Sequence, residues 1–497
     1  MGIVFRQSSR TTFMSYVGVA IGYVNVLWIF PAVLSPEEIG LLRLLPSLAF
    51  LILPFTQLGL SQSILKFFPQ FEEGKRKNEL LSLMLLANLA GFGLTLILFK
   101  VFETKVFAFF HSKSPLANEY IHVSVILVFI LSYLVIFESF AKSILKIVFP
   151  GIVRDVIIRV LYTILVGIYF FGLISINQLV NSLILIYGMA LGFLVTYVLK
   201  KGSLEVSLSF KRLTWSRVKP ILNFSFFALL GASGNYIILN IDQAMISNVI
   251  GLKGNGIYTT AFYIAIIIEM PRRAISNITT PLVSKLFKEN LNSEVNQLYK
   301  KVSINQTVVG TLFLLGILTN VDTLFAMIPN NETYRAGINV VTIIGIAKIV
   351  DMIFGINSEI IVMSKYYRYN VLFTIILAVV AIVSNWLLIR KFGIDGAALA
   401  TGITLVIFNI TKLIFLRIKM DLWPFTWNNL IVVMIGLATY YIVLQIPVMG
   451  NLWTDLVLRS VIVTIVFSLP CLLLRVSTDI NNVLSKIRGF EFLASKS

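Results

Sequence analysis

The sequence predicts an all-α polytopic membrane protein of about fourteen transmembrane helices. Three observations predict it. First, 58% of the 497 residues are hydrophobic and only 13% are charged, about half the charged share of soluble domains. Second, apolar runs of about twenty residues recur along the chain, each long enough to cross the hydrocarbon core as a helix. Third, most basic residues fall between these runs. A soluble protein could not hide that much apolar surface, 38 Phe included. The composition excludes an ordinary soluble enzyme, a disordered chain and a fibrous repeat.

Taken in order, the expected spans are approximately 12–34, 40–62, 79–101, 119–141, 153–174, 178–199, 220–248, 256–280, 302–321, 335–363, 369–389, 393–416, 427–446 and 454–475. The first is too long for a signal-peptide core and lacks a small-residue cleavage site, so it reads as a retained helix. Gly2 does not open a myristoylation signal, because Arg6 stands where Ser or Thr is needed. The links are too short for a soluble domain.

The net charge is +18. In a soluble chain this would suggest nucleic acid; here membrane topology accounts for it, and no nucleic-acid partner is expected. The N-terminus and alternate links carry 27 Lys and Arg, the opposite links six, and the remaining eight lie within spans. The positive-inside rule then places both termini in the cytoplasm. The sequon Asn331-Glu332-Thr333 lies in an outer link and carries little weight alone.

Metal chemistry finds no ligand set. Cys471 is the single cysteine, set in an apolar run and read as a packed side chain. The histidines are His111 and His122, and no His/Cys/carboxylate cluster has ligand spacing. No cofactor is expected.

An internal repeat organises the chain. Val33–Gly40 closes span 1 and opens span 2, and Val249–Gly256 does the same for spans 7 and 8. Gly40 thus recurs as Gly256. At nearly the same offset, Lys66 recurs as Lys285 and Arg154 as Arg368, each at an equivalent topological position. Six spans separate the copies, so the repeat is parallel. The expected organisation is an N-lobe at 1–200, a C-lobe at 201–420, and two further helices with a cytoplasmic tail at 421–497. A site at the lobe interface is the expectation for such transporters.

These residues resemble a known family. Phe30-Pro31-Ala32-Val33-Leu34-Ser35-Pro36-Glu37-Glu38-Ile39-Gly40 is similar to the first-loop pattern of polysaccharide (O-antigen type) flippases, as is Leu58-Gly59-Leu60 with Lys66-Phe67-Phe68-Pro69. Asp242-Gln243-Ala244-Met245-Ile246 with Gly256-Ile257-Tyr258 resembles their span 7–8 junction. Phe392-Gly393-Ile394-Asp395-Gly396 resembles their span 11–12 junction. The superfamily also holds multidrug exporters and lipid II flippases. The resemblance implies two lobes around a V-shaped cavity and alternating access. It implies export of an undecaprenyl-diphosphate-linked oligosaccharide across a bacterial cytoplasmic (inner) membrane, as in lipopolysaccharide synthesis. Membrane lipids and polysaccharide polymerase or assembly proteins are the implied partners.

Ionisable residues inside spans are costly and mark candidate sites. Lys412 and Arg459 lie near span ends and read as snorkelling side chains. Arg43, near the outer end of span 2, reads either as snorkelling or as a cavity cation. Arg159 can pair with Asp155 at i,i+4 or line the cavity. In span 8, Glu269 can pair with Arg273, leaving Arg272 without an obvious local partner beside Pro271. Arg272 then either binds a diphosphate, which suits a guanidinium, or pairs locally. Arg272, Arg273, Arg43 and Arg159 are the substrate-binding candidates. In span 10, Lys348 and Asp351 are one turn apart and Glu359 returns to nearly the same face. With Glu138, Asp242 and Glu269, these residues are the ion-coupling candidates, for Na+ or H+. Asp351 and Lys348 also read as a buried pair that fixes helix register. Asp242 reads as a cavity group or a surface group.

Flippase is therefore the expected function, with a cation-coupled multidrug exporter as the alternative. The basic residues within spans favour an anionic substrate. A membrane enzyme is disfavoured, because the short links leave no room for a catalytic domain and no Walker motif is present.

Overall fold

The structure is a computed structural model that describes residues 2–71, 76–207, 214–447 and 449–485. Among them there is no strand, and almost every residue is helical. Lys75, Lys211, Arg212, Lys486, Arg488 and Lys496, used above for orientation, lie outside the described residues, as does the side chain of Arg6.

The helices used below are these. The first group is α1 (Gly2–Val24), α2 (Pro36–Gln57), α3 (Leu60–Phe67), α4 (Arg76–His111), α5 (Ile121–Ser143) and α6 (Ile158–Phe170). Next come α7 (Ile176–Gly202), α8 (Trp215–Val249), α9 (Leu252–Ala265), α10 (Met270–Lys288) and α11 (Asn292–Leu318). The last are α12 (Ile338–Ile353), α13 (Asn357–Met363), α14 (Tyr367–Met420), α15 (Trp427–Leu444), α16 (Leu452–Leu473) and α17 (Thr478–Leu484). Among the described residues, eleven helices are long and apolar enough to cross a membrane. The sequence expects three more spans. Two of these regions are helical but interrupted: a π-helical turn at Val153–Ile157 precedes α6, and a 3-10 turn at Ile266–Glu269 joins α9 to α10. The third is the second half of α14, which is broken at Gly393 (φ 61°, ψ −137°).

Local chemistry sets the boundaries. Ser35 and Glu38 form a reciprocal capping box, and Pro36 occupies the first turn of α2, where its missing N–H costs no bond. Ser175 and Gln178 cap α7 in the same way. The chain leaves α2 through Leu58 and Gly59, both with positive φ. Pro54 inside α2 and Pro271 in the first turn of α10 are related by nearly the repeat offset.

The chain divides into two compact units, Met1–Thr259 and Thr260–Ser497. In the first, α5 is the central helix, buried along most of its length and packed on α2, α3 and α7. Short polar bonds tie these helices, as in other membrane bundles. Gln57 Nε2 donates to the Ser132 carbonyl at 3.0 Å, and Ser124 Oγ to that of Leu45 at 3.0 Å. α8 packs on α2 and so belongs to this unit.

Glycines set the closest approaches. A Cβ on Gly40 would lie 2.0 Å from the Leu252 carbonyl oxygen, and one on Gly256 would lie 2.0 Å from that of Pro36. Asn255 Nδ2 donates to the Gly40 carbonyl at 2.9 Å across the same crossing. The motif glycines of the two copies are thus one helix–helix contact.

In the second unit, α11 packs on α12, α15 and α16, and α14 covers α12 and α13. Asn429 on α15 donates to Ser303 and Thr307 on α11 at 3.1 and 3.0 Å.

Candidate functional site

The second unit gathers most of the ionisable residues that its spans carry. Glu269 ends the 3-10 turn and Pro271 lies in the first turn of α10, so Arg272 and Arg273 open a fresh helix after that turn. Across from them, α12 presents Lys348 and Asp351 one turn apart.

The pairing differs from the sequence expectation. Lys348 does not take Asp351. Its Nζ bonds Glu269 Oε2 at 2.5 Å, and Glu269 Oε1 also takes Arg273 at 3.2 Å, as expected at i,i+4. Asp351 Oδ2 lies 3.3 Å from Arg272 Nε. Arg272 therefore has a partner, supplied by a helix remote in sequence. The cause is geometric: the 3-10 turn that ends at Glu269 packs against α12, so both pairs form between helices.

The environments of the two arginines differ. The Arg273 side chain is 63% exposed and that of Arg272 16%. The guanidinium of Arg272 makes no hydrogen bond to any described residue; its Nε contacts Asp351 as an ion pair only.

Glu359 does not continue the Lys348 face. α12 stops at Ile353, Gly355 adopts φ 66°, and α13 restarts at Asn357. Ser276 on α10 donates to Glu359 Oε1, while Oε2 is buried without a partner.

Two snorkelling expectations are corrected. Lys412 is 1% exposed; its Nζ donates to Ser358 Oγ at 2.6 Å and sits 3.3 Å from the Phe408 ring centroid. Arg459 is 5% exposed, pairs with Asp455 at 3.0 Å and donates to the Ile446 carbonyl at 2.7 Å. Both sit near span ends in sequence, but neighbouring helices cover those ends. Asn357, Ser358 and Asn409 were also missed. The signal was there: amide and hydroxyl side chains within apolar runs, with Asn409 about one turn before Lys412.

The remaining candidates lie in the first unit. Glu138 is held by Arg154 at 3.0 Å and Lys142 at 2.9 Å. Asp155 pairs with Arg154 at 2.9 Å and accepts from Ser15 at 2.6 Å, and of the two readings of Arg159 the i,i+4 ion pair with Asp155 does not form. Arg159 instead keeps one buried terminal nitrogen, Nη1, without a hydrogen-bond partner. Its carbonyl accepts from Asn25 at 3.1 Å and Thr163 at 2.9 Å. Arg43 stacks over Phe30, 5.9 Å from Cζ to the ring centroid. Asp242 is buried and accepts from Tyr258 Oη at 2.8 Å, which removes the surface reading. Among the described residues, no group of three or more His, Cys, Asp or Glu could hold a metal ion.

A family model described as polysaccharide biosynthesis protein matches residues 5–287. The chain belongs to that family. A curated relative is the probable low-salt glycan biosynthesis flippase Agl15 of Haloferax volcanii, 22% identical over 236 residues. That match covers 48% of this chain and 49% of the relative, about half the length of each. Among solved structures, the lipid II flippase MurJ in an inward closed conformation matches with a TM-score of 0.75 at 13% identity, over 94% of this chain and 98% of that one. An inward-facing multidrug resistance MATE family transporter of the MOP superfamily matches with a TM-score of 0.66 at 14% identity, over 84% and 98%. The family member described here therefore has the MurJ- and MATE-like fold.

Proposed function

We propose that the protein is a flippase that moves a polyprenyl-diphosphate-linked oligosaccharide across the cytoplasmic membrane by alternating access, for surface glycan assembly. One observation carries the reading. Arg272 is mostly buried, its Nε contacts Asp351, and the guanidinium bonds no hydrogen-bond acceptor among the described residues. A guanidinium offers a planar fork of donors that matches phosphate oxygens. Around it, Arg273 and Lys348 both hold Glu269, which leaves Arg272 as the cation whose donors are unspent among the described residues and favours an anionic substrate over a cationic drug. Arg159, with its buried unpartnered Nη1, is a second phosphate-binding candidate, and Arg43 a third.

Transport needs an energy source, and we assign coupling to a proton or sodium gradient. Glu359 is the carboxylate best suited to it, because its Oε2 is buried and unbonded and so is free to accept either ion. Asp351, Glu138, Glu269 and Asp242 are already bonded to protein donors, and Lys348 serves to hold Glu269.

The test is a deletion strain of the source organism, scored for lipid-linked oligosaccharide on the inner leaflet and for surface glycan. Accumulation with loss of surface glycan is expected, rescued by the wild type but not by R272A. The R273A variant is expected to rescue in large part, because its side chain is exposed and serves Glu269 alone. Intact surface glycan together with new drug sensitivity would overturn the reading in favour of multidrug export.

A further inference from the structure

Lys412 is a lysine inside a membrane helix, 1% exposed, with no carboxylate within ion-pairing distance among the described residues. A buried ammonium without a paired carboxylate is costly, and the Phe408 ring 3.3 Å from its Nζ offsets only part of that cost. Lys412 is also the head of a hydrogen-bond chain. Lys412 Nζ donates to Ser358 Oγ at 2.6 Å, and Ser358 Oγ donates to Asn357 Oδ1 at 3.2 Å. Asn357 Nδ2 donates to Asn409 Oδ1 at 2.7 Å, and Asn409 Nδ2 donates to Asp351 Oδ1 at 2.8 Å. The other oxygen of Asp351 is the one beside Arg272.

Every donor in this chain points the same way, from the ammonium toward the carboxylate. The direction is fixed at both ends. An ammonium can only donate, and an ionised carboxylate can only accept. Turning either amide over would set oxygen against oxygen or N–H against N–H at its neighbours. Aligned bonds polarise one another in a low-dielectric interior. The chain thus links Lys412 to Asp351 across three helices and ends on the carboxylate oxygen that Arg272 does not contact.

The geometry points to Lys412 as a positioning residue for substrate binding: through Ser358, Asn357 and Asn409 it holds the Asp351 carboxylate in place while Arg272 turns its guanidinium to the diphosphate. Without the chain, the Asp351 carboxylate loses the hydrogen-bonded support of Asn409 and turns to its ion pair with Arg272, which is then withheld from the substrate. This inference rests on the assignment of Arg272 to the diphosphate.

Binding of undecaprenyl diphosphate to the full-length protein in lipid nanodiscs tests it, with thermal stability followed in parallel. S358A breaks the chain at its second link with little change in volume, and K412Q removes the charge. Each is expected to weaken binding about 5- to 10-fold. The double variant is expected to stay within about twofold of the weaker single one, because both cut one chain. K412R, which keeps the charge, is expected to bind within about threefold of wild type. A double variant that shows the product of the two losses, or S358A that binds as wild type, overturns the inference. If K412Q does not fold, S358A decides alone. R272A separates the two readings. Wild-type binding by R272A removes the diphosphate assignment itself, whereas loss in R272A with wild-type binding in S358A removes only the chain.

Discussion

Alanine at Gly40 is expected to be among the most damaging single-methyl additions in the first unit. The added Cβ would lie 2.0 Å from the Leu252 carbonyl oxygen, 2.8 Å from its carbon and 3.0 Å from the Gly256 nitrogen. Ordinary contact begins near 3.4 Å. All three neighbours are backbone, so no side chain can swing aside, and the helices must part by more than about 1 Å. Overpacking of this kind costs about 1–3 kcal/mol. Parting also breaks the buried bond from Asn255 Nδ2 to the Gly40 carbonyl, worth about 1–2 kcal/mol. The two effects together come to about 2–5 kcal/mol. Gly256→Ala meets the Pro36 carbonyl at 2.0 Å and should cost a similar amount, yet the double variant should lose less than the sum, because the first methyl already parts the helices. Thermal unfolding in detergent, followed by fluorescence on size exclusion, reads the effect. Gly192→Ala is the control: its Cβ meets nothing within 4 Å, and helix propensity predicts no loss or a gain of up to about 1 kcal/mol. A Gly40→Ala protein that melts with wild type, or a Gly192→Ala protein that falls as far, would refute the packing argument.

Two further predictions concern buried pairs. Lys348→Met leaves Glu269 with only the exposed Arg273, and removing one partner of a buried pair costs about 3–5 kcal/mol; adding Glu269→Gln should recover most of the melting temperature, and a double variant no better than the single one counts against the pairing. Asp455→Ala strips Arg459, Thr323 and the Met449 N–H of their shared acceptor, so it should destabilise the protein by at least about 3 kcal/mol, whereas a snorkelling Arg459 would leave the same variant near wild type.

What could be read in advance follows from the range of the physics involved. Spans are written in runs of contiguous apolar residues, so their positions were legible, including the break at Gly393, where a glycine sits between two such runs. The Glu269–Arg273 pair was legible because i,i+4 neighbours meet on any helix. Arg272 and Asp351 lie far apart along the chain, as do Glu269 and Lys348, and no periodicity reports which helices become neighbours. The same limit produced the errors at Lys412 and Arg459. Distance from a span end fixes depth along one helix, but snorkelling also requires an open path to the interface, and that path is closed by other helices. The restart at Asn357 was hidden because Gly355 sits in an otherwise apolar stretch whose composition suits a continuous helix.

The repeat sharpens one contrast. Glu138 and Asp351 are separated by nearly the offset that relates Arg154 to Arg368. Both carboxylates are buried, and each is neutralised by an arginine. The arginines do not correspond. Glu138 takes Arg154, half exposed and shared with Asp155, from the segment that follows it. Asp351 takes Arg272, mostly buried, from a helix that precedes it, while Arg368 is left beside the ring of Tyr367. An ion pair that serves only to neutralise a carboxylate is satisfied by the first arrangement, with two cations on Glu138 and two carboxylates on Arg154. The second is under-bonded on the arginine and over-supplied on the carboxylate, which also draws on Asn409 and, through it, Lys412. Asp351 can therefore lose Arg272 and remain bonded, and Arg272 can leave Asp351 to meet another anion. The two positions related by the repeat offset thus differ in one respect: the arginine beside Asp351 keeps its hydrogen-bond donors unspent among the described residues, which is what the proposed binding of a diphosphate by Arg272 requires.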